Sequence, residues 1–157
     1  MTPFRIDGSF ARWSELLHLI RASFAYMDGR IDPPSSAIRL TVESLTEKAK
    51  AEIAYAVEND GWLTGCMFLR PEADCLYIGK LAVLPSAQGK GIGRRLLDIA
   101  EETARDLDLP ALRLETRVEL VDNHSTFSAW GFARTAEKSH PGFTRTTFVE
   151  MRKTLTG

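Results

Sequence analysis

Between residues 88 and 94 the chain reads Gln-Gly-Lys-Gly-Ile-Gly-Arg, with glycines alternating at 89, 91 and 93. An apolar run ends just before it at Leu84-Pro85, and an amphipathic helical pattern follows. The first amides of a helix have no partner inside it, and the helix dipole adds partial positive charge there. Glycines let a bulky anion reach those amides, while Gln88, Lys90, Arg94 and Arg95 bring donors and charge to the rim. The chemistry this pattern suits is the gripping of a diphosphate.

Spacing narrows the choice of diphosphate. A nucleoside-triphosphate loop needs GxxxxGK[ST], which the chain lacks. A dinucleotide fingerprint needs GxGxxG directly after a strand, and here Leu96 stands where the third glycine would be. Glu115, at the end of "LRLE", has the position of a ribose-binding acid, so a nicotinamide dinucleotide oxidoreductase stays open as an alternative. Against it, Pro85-Ser86-Ala87-Gln88 separates strand from glycines, and no further βαβ unit follows.

The elements that would hold this loop can be read from periodicity. Phe10, Trp13, Leu17, Ile20 and Phe24 form one apolar helical face, with Asp7 or Ser9 as the cap. "AYMDGRIDPPSSA" breaks the pattern as a loop, and a short helix is predicted over residues 42–50, with Ser44 and Glu47 at capping-box spacing. Two strand-like runs flank Asn59-Asp60-Gly61 as a hairpin, and Pro71 to Asp74 turn the chain into the strand "CLYIGKLAVL". After the glycines comes a helix over 91–107, then "ALRLETRVEL" as a strand parallel to the one before that helix. "VDNHSTFSAWGF" reads as a short helix closed by Gly131. Two strands near 132–135 and 143–153, joined by "EKSHPG", complete one α+β domain over 1–157.

With these elements in order, "LAVLPSAQGKGIGRRLL" resembles the acetyl-CoA signature Q/R-x-x-G-x-G/A of the GNAT superfamily of N-acetyltransferases, carried by Gln88, Gly91 and Gly93. Leu81-Ala82-Val83 is similar to the family's splayed central strand, and Asn123, Phe127 and Trp130-Gly131-Phe132 to its N…Y…GF region. The resemblance implies a mixed, mostly antiparallel sheet of about six to seven strands flanked by about four helices, splayed at a central parallel pair. It implies acetyl-CoA as cosubstrate and transfer of the acetyl group to a primary amine of a small molecule or peptide, without a covalent enzyme intermediate. Pyrophosphate would lie on Gln88, Gly89, Lys90, Gly91, Ile92, Gly93 and Arg94, and pantetheine beside Leu81, Ala82 and Val83, near Asn123 and Phe127. An N–H of the strand would polarise the thioester carbonyl.

The family often has a tyrosine four residues before the GF glycine to protonate the leaving thiolate; here that position is Phe127. Either protonation falls to water or another group, or it is dispensable; a chain that binds acyl-CoA without transferring the acyl group is the other reading. Candidates for the general base are Tyr77 on the central strand, Glu115 on the next, and His140 in the loop that in the family borders the acceptor. Each has a plainer role open to it: a core aromatic, a solvated carboxylate paired with Arg113 or Arg117, an exposed loop histidine. Asn123 serves equally well as a helix cap, as does His124. Trp62 and Trp130 read as packing residues. The loop holding Asp28 and Asp32 would wall the acceptor, with Arg30 offsetting their charge.

Composition excludes more than it selects. At 44% hydrophobic and 26% charged residues, with a net charge of −1, the chain is neither disordered nor steered as a whole toward nucleic acid or membrane. No apolar run is long enough to span a bilayer, and "MTPFRIDGSF" lacks the pattern of a signal peptide, so a cytoplasmic location is expected. Cys66 and Cys75 lack metal spacing and read as buried reduced thiols, so no metal is expected. A homodimer is compatible with the sequence but not legible in it.

Overall fold

A computed structural model describes residues 1–156 of the chain. In chain order the elements are β1 (Thr2–Arg5), α1 (Trp13–Phe24), α2 (Val42–Ala51), β2 (Ile53–Asn59), β3 (Trp62–Pro71), β4 (Leu76–Val83), α3 (Ile92–Asp106), β5 (Ala111–Arg117), α4 (Val121–Ala129), β6 (Ala133–Lys138) and β7 (Phe148–Thr154). The strands form one open 7-stranded sheet in the order β1-β2-β3-β4-β5-β7-β6. Neighbours are antiparallel except β4 and β5, which are parallel, as a helical crossover through α3 requires. The mixed α+β architecture expected from the sequence is therefore present.

The core lies on both faces of the sheet. One cluster joins Leu96, Leu97 and Ala100 of α3 to Met67, Leu69, Leu76 and Ile78; the other joins Leu16, Leu19 and Ile20 of α1 and Leu45 of α2 to Cys66, Phe68 and Ala82. Alternation explains β3 from Cys66 to Leu69, whose even and odd residues serve opposite faces. It also exposes an irregularity in β4. Leu76 and Ile78 belong to the α3 side, yet Ala82, of the same parity, belongs to the α1 side. The pairing register accounts for the flip: Phe68 faces Gly79 but Cys66 faces Ala82, so β4 carries one extra residue there. Lys80 absorbs it with φ of 48°, in the left-handed region. A bulge of this kind reverses alternation downstream and re-aims the side chain that forms it.

The β4–β5 pair is short. Cα partners are found only at Leu76–Leu112 and Tyr77–Arg113, after which the two strands part. Half of the main-chain groups of β4 from Ile78 to Val83 point into the resulting gap, by strand geometry.

Several boundaries differ from the sequence reading. β1 was not foreseen: it is a short edge strand with Pro3 in it, paired with β2 at Thr2–Glu58 through Arg5–Tyr55. Neither Asp7 nor Ser9 caps α1; Asp7 binds Ser9 in a turn and Arg12 stands at the helix start without a side-chain cap. The capping box of α2 is Thr41 with Ser44, one turn earlier than Ser44 with Glu47. β5 ends at Arg117, and β7 begins only at Phe148, because Ser139 Oγ donates to the Arg145 carbonyl and His140 N–H to Thr147 Oγ1, which hold residues 139–147 as a loop. No helix among the described residues is long and apolar enough to cross a membrane.

Candidate active site

The glycine loop closes β4 and opens α3. Gly91 is the residue at the helix start, with φ 83° and ψ 8°, and Gly89 has φ 79°. Left-handed backbone there turns successive N–H groups toward one side, a conformation an L side chain resists. The first hydrogen bond into α3 is from Arg95 N–H to the Gly91 carbonyl at 3.0 Å. The amides from Gly89 through Arg94 donate to no acceptor among the described residues, and a Cβ at Gly89 or Gly91 would meet nothing within 4 Å. The loop is thus a row of unsatisfied donors with clear space beside it.

The rim is less simple than the sequence suggested. Gln88 does not present its side chain outward; Nε2 folds back to donate to the Val83 carbonyl at 3.2 Å and closes the end of β4. Arg94 pairs with Asp98 at 3.4 Å, whereas Lys90 and Arg95 have no carboxylate within 4.0 Å among the described residues. Gly93 answers a different need from its neighbours. A Cβ there would lie 3.0 Å from Trp130 Cη2, so this glycine lets the indole that follows α4 lie against the start of α3. Trp130 packs edge-on against Phe127 at 5.7 Å, as expected of a packing residue. Trp62 does not pack: it is 69% exposed at the hairpin tip.

Beyond the loop, the parting of β4 and β5 opens a cleft of about 590 Å³. All three base candidates reach it. Tyr77 lies between two guanidiniums, Arg70 at 4.7 Å and Arg113 at 4.4 Å from its ring. Burial, then the Glu115 charge, push its phenol up to about 12, so it stays protonated at neutral pH. Glu115 accepts from Arg113 Nη1 at 2.9 Å and has Lys138 Nζ at 3.9 Å, so its charge is already committed. His140 is set differently. Its Nδ1 lies 2.5 Å from Thr147 Oγ1, its N–H donates to the same oxygen at 2.8 Å, and its ring meets Phe148 edge-on at 4.9 Å. Burial first, then the Arg117 charge, lower its pKa below the usual imidazole value, which leaves the ring neutral at pH 7.

Of the remaining family-derived positions on β4, Leu81 lines the cleft, whereas Ala82 is buried in the α1-side core and Val83 packs against the α3-side core. Asn123 and Phe127 both line the cleft. Asn123 does not cap α4: its Nδ2 donates to the Tyr26 hydroxyl at 3.1 Å, tying α4 to the end of α1. Nor does His124, which bonds the Arg117 carbonyl and faces Arg134. The loop expected to wall the acceptor lines this cleft through Pro33 to Ser36, and it is pinned there. Arg117 donates to the Pro33 and Pro34 carbonyls at 2.5 and 3.1 Å, and Arg145 pairs with Asp32 at 3.0 Å. Asp32 is therefore spent on Arg145 rather than free to attract a cation.

Two residues of the region escaped the sequence reading. Tyr26 brings a phenol to Asn123 from 97 positions away, a distance no local pattern reveals. Lys80 lines the cleft from the β4 bulge, its Nζ donating to Ser36 Oγ at 2.9 Å. A signal was present for Lys80, since it is the one charged residue in the apolar run "LYIGKLAVL".

Comparison with known proteins agrees with this geometry. Residues 13–132 match the model of the Acetyltransferase (GNAT) family. A protein of Azospirillum brasilense named IAA acetyltransferase is 33% identical over 108 residues, covering 67% of this chain and 69% of that one. The chain belongs to the GNAT family and is an acetyltransferase. Among solved structures, the PaiA N-acetyltransferase of Thermoplasma acidophilum in complex with coenzyme A superposes with a TM-score of 0.78 at 18% identity, covering 99% of this chain and 100% of that one. The IAA acetyltransferase of Bacillus cereus ATCC 14579 gives 0.67 at 20% identity, over 98% and 99% of the two chains. At these identities the structures speak for the fold. The nicotinamide alternative loses its support, because a dinucleotide fold needs a parallel doubly wound sheet and here only β4 and β5 run parallel.

Proposed function

We propose that this acetyltransferase carries an acetyl group from acetyl-CoA to a primary amine of a small molecule or peptide, by direct attack of the amine within a ternary complex. The observation that carries the reading is the row of unpartnered amides from Gly89 to Arg94, which follows directly on the end of β4 that has parted from β5. The fit to coenzyme A is chemical. Those amides and the α3 dipole suit a pyrophosphate. The unpaired edge of β4 from Ile78 to Val83 suits an arm with amide groups of its own, which would add to the sheet as a further strand does.

Bound acetyl-CoA supplies an activated acyl carbonyl. The chain's own contribution is threefold. First, the loop and β4 edge hold the donor so that the amine meets the carbonyl in a fixed geometry. Second, a free β4 amide in the gap stabilises charge on the carbonyl oxygen, a contribution of about 3 kcal/mol for one such donor. Third, a proton must leave the amine. His140 is the best suited of the three candidates, because Tyr77 is held protonated and Glu115 is bound to Arg113. In the tautomer whose Nδ1–H donates to Thr147 Oγ1, Nε2 keeps the lone pair that accepts the proton. Thiolate protonation falls to solvent, because Phe127 has no proton to give.

The test is thiol release from acetyl-CoA across a panel of primary amines and peptides, with Gly91→Trp as a blocked-loop control. Turnover of at least one amine, abolished in the control, is the expected result. Tight acetyl-CoA binding with no turnover across the panel would instead make the chain an acyl-CoA-binding module.

A further inference from the structure

The proposed reaction leaves one end of the cleft unexplained. Lys80 occupies the β4 bulge with φ of 48°, a backbone state that non-glycine residues seldom adopt and that recurs where a site requires it. Its ammonium is half-buried, and its one polar partner is the neutral Ser36 hydroxyl at 2.9 Å. Arg39, on the same short segment as Ser36, lines the cleft beside it, as does Arg117. None of these three cations has a carboxylate within 4.0 Å among the described residues, and Arg117 donates only to proline carbonyls. Elsewhere, apart from Arg95 at the start of α3, the protein pairs its buried and half-buried cations: Arg113 with Glu72, Glu115 and Glu150, Lys48 with Glu52, and Lys153 with Glu101.

We infer that the acceptor amine also carries a carboxylate, and that this group seats against Lys80, with Arg39 and the Ser36 hydroxyl beside it. The same cleft is lined by His140, the base of the proposed reaction, so an acceptor with its amine at His140 and an acid at its other end fits the chemistry of the lining. Electrostatics agree with the placement. Burial, then Lys48, Arg117 and Arg39, lower the Lys80 pKa, while the opposing influence of Glu52 comes from a carboxylate already bound to Lys48 at 2.8 Å. An anion entering this corner would relieve the repulsion among these cations. Phe24 and Phe148 on the walls suit an apolar spacer between the two ends.

This inference rests on the transferase reading, and the experiment separates the two. Matched acceptors that differ only at the remote group are compared: 4-(aminomethyl)benzoate with its carboxamide, and 4-aminobutyrate with 4-aminobutanamide. Wild type is expected to favour the acid of each pair by about 10- to 100-fold in kcat/KM, the range for a charged hydrogen bond. Lys80→Met should collapse that ratio to near unity, Lys80→Arg should restore most of it, and Arg39→Gln, at an exposed position, should reduce it in part. Equal or better use of the amides by wild type, or a ratio untouched by both Lys80→Met and Arg39→Gln, overturns the inference while leaving the transferase reading intact. If no amine reacts although acetyl-CoA binds, the transferase reading fails, and calorimetry with 4-methylbenzoate and 4-methylbenzamide decides the anion site alone. Tighter binding of the acid that is lost in Lys80→Met then upholds the site, and equal binding overturns it.

Discussion

Replacing Gly91 by alanine isolates what the loop backbone does. Gly91 holds φ 83° and ψ 8° at the start of α3, and a Cβ there meets nothing within 4 Å. The substitution therefore adds no clash; its one cost is left-handed backbone for an L residue, about 1 to 2 kcal/mol. That strain is relieved only if the loop leaves the conformation that aligns the amides of residues 89–94. The fraction of molecules with a competent loop then falls, and apparent affinity falls with it, by about 5- to 30-fold for that energy. Calorimetric titration with acetyl-CoA reads the change directly. Gly29→Ala supplies the control, because Gly29 has φ 75°, equally open surroundings and no place in the loop. Both variants should melt a few degrees lower than wild type, at about 3 °C per kcal/mol for a chain of this size. Only Gly91→Ala should bind acetyl-CoA more weakly. If the two destabilised variants bind it equally well, the left-handed turn is not what presents the donors, and the reasoning fails.

Gly93→Val should also weaken acetyl-CoA binding while the chain stays folded, through the 3.0 Å approach of Trp130; the overpacking cost is about 1 to 3 kcal/mol, and unchanged affinity in a folded variant would refute it. Phe127→Tyr should change kcat by less than about tenfold, since thiolate protonation does not limit the rate; a much larger gain would show that an acid was lacking. With His140 as base, kcat/KM should rise with pH through an apparent pKa below 6.5 and level off before neutrality, and His140→Gln should flatten that limb. Glu72 tests the packing beneath the site. Its two oxygens take Arg113 at 2.9 and 3.1 Å, and that partner foremost holds its pKa down at about 2 against an ordinary 4.5. The stabilisation is present above pH 4.5 and is lost as pH falls through 4.5 toward 2. Glu72→Gln should therefore cost about 2 to 3 kcal/mol at pH 7 by denaturant unfolding, with the gap to wild type closing in acid.

What could be read from the sequence was what local spacing encodes. The alternating glycines, the amphipathic run from Ile92 to Ala104 and the Asn59-Asp60-Gly61 hairpin each state their structure within a few residues, and all three stand where expected. The features that needed the fold are those whose causes lie far apart in the chain. β1 exists because residues 2–5 find an edge on β2 fifty or more positions on; its own four residues carry little strand signal. Glu72 reads as a turn residue, and only the parallel pairing of β4 with β5 brings Arg113 against it. Gly93 looks like its two neighbours in sequence, yet its contact is with Trp130, just past the end of α4. Lys80 announced itself as a charge in an apolar strand, but its direction depends on a bulge that no alternation count contains.

In the proposed reaction everything depends on the main-chain amides from Gly89 to Arg94 gripping the diphosphate of coenzyme A. Backbone amide chemical shifts of uniformly 15N-labelled protein, recorded while coenzyme A is added, address it residue by residue. The largest displacements are expected on Gly89 through Arg94, with a second group along β4 from Ile78 to Val83. Saturable binding that moves other amides and leaves those of residues 89–94 where they were would contradict it.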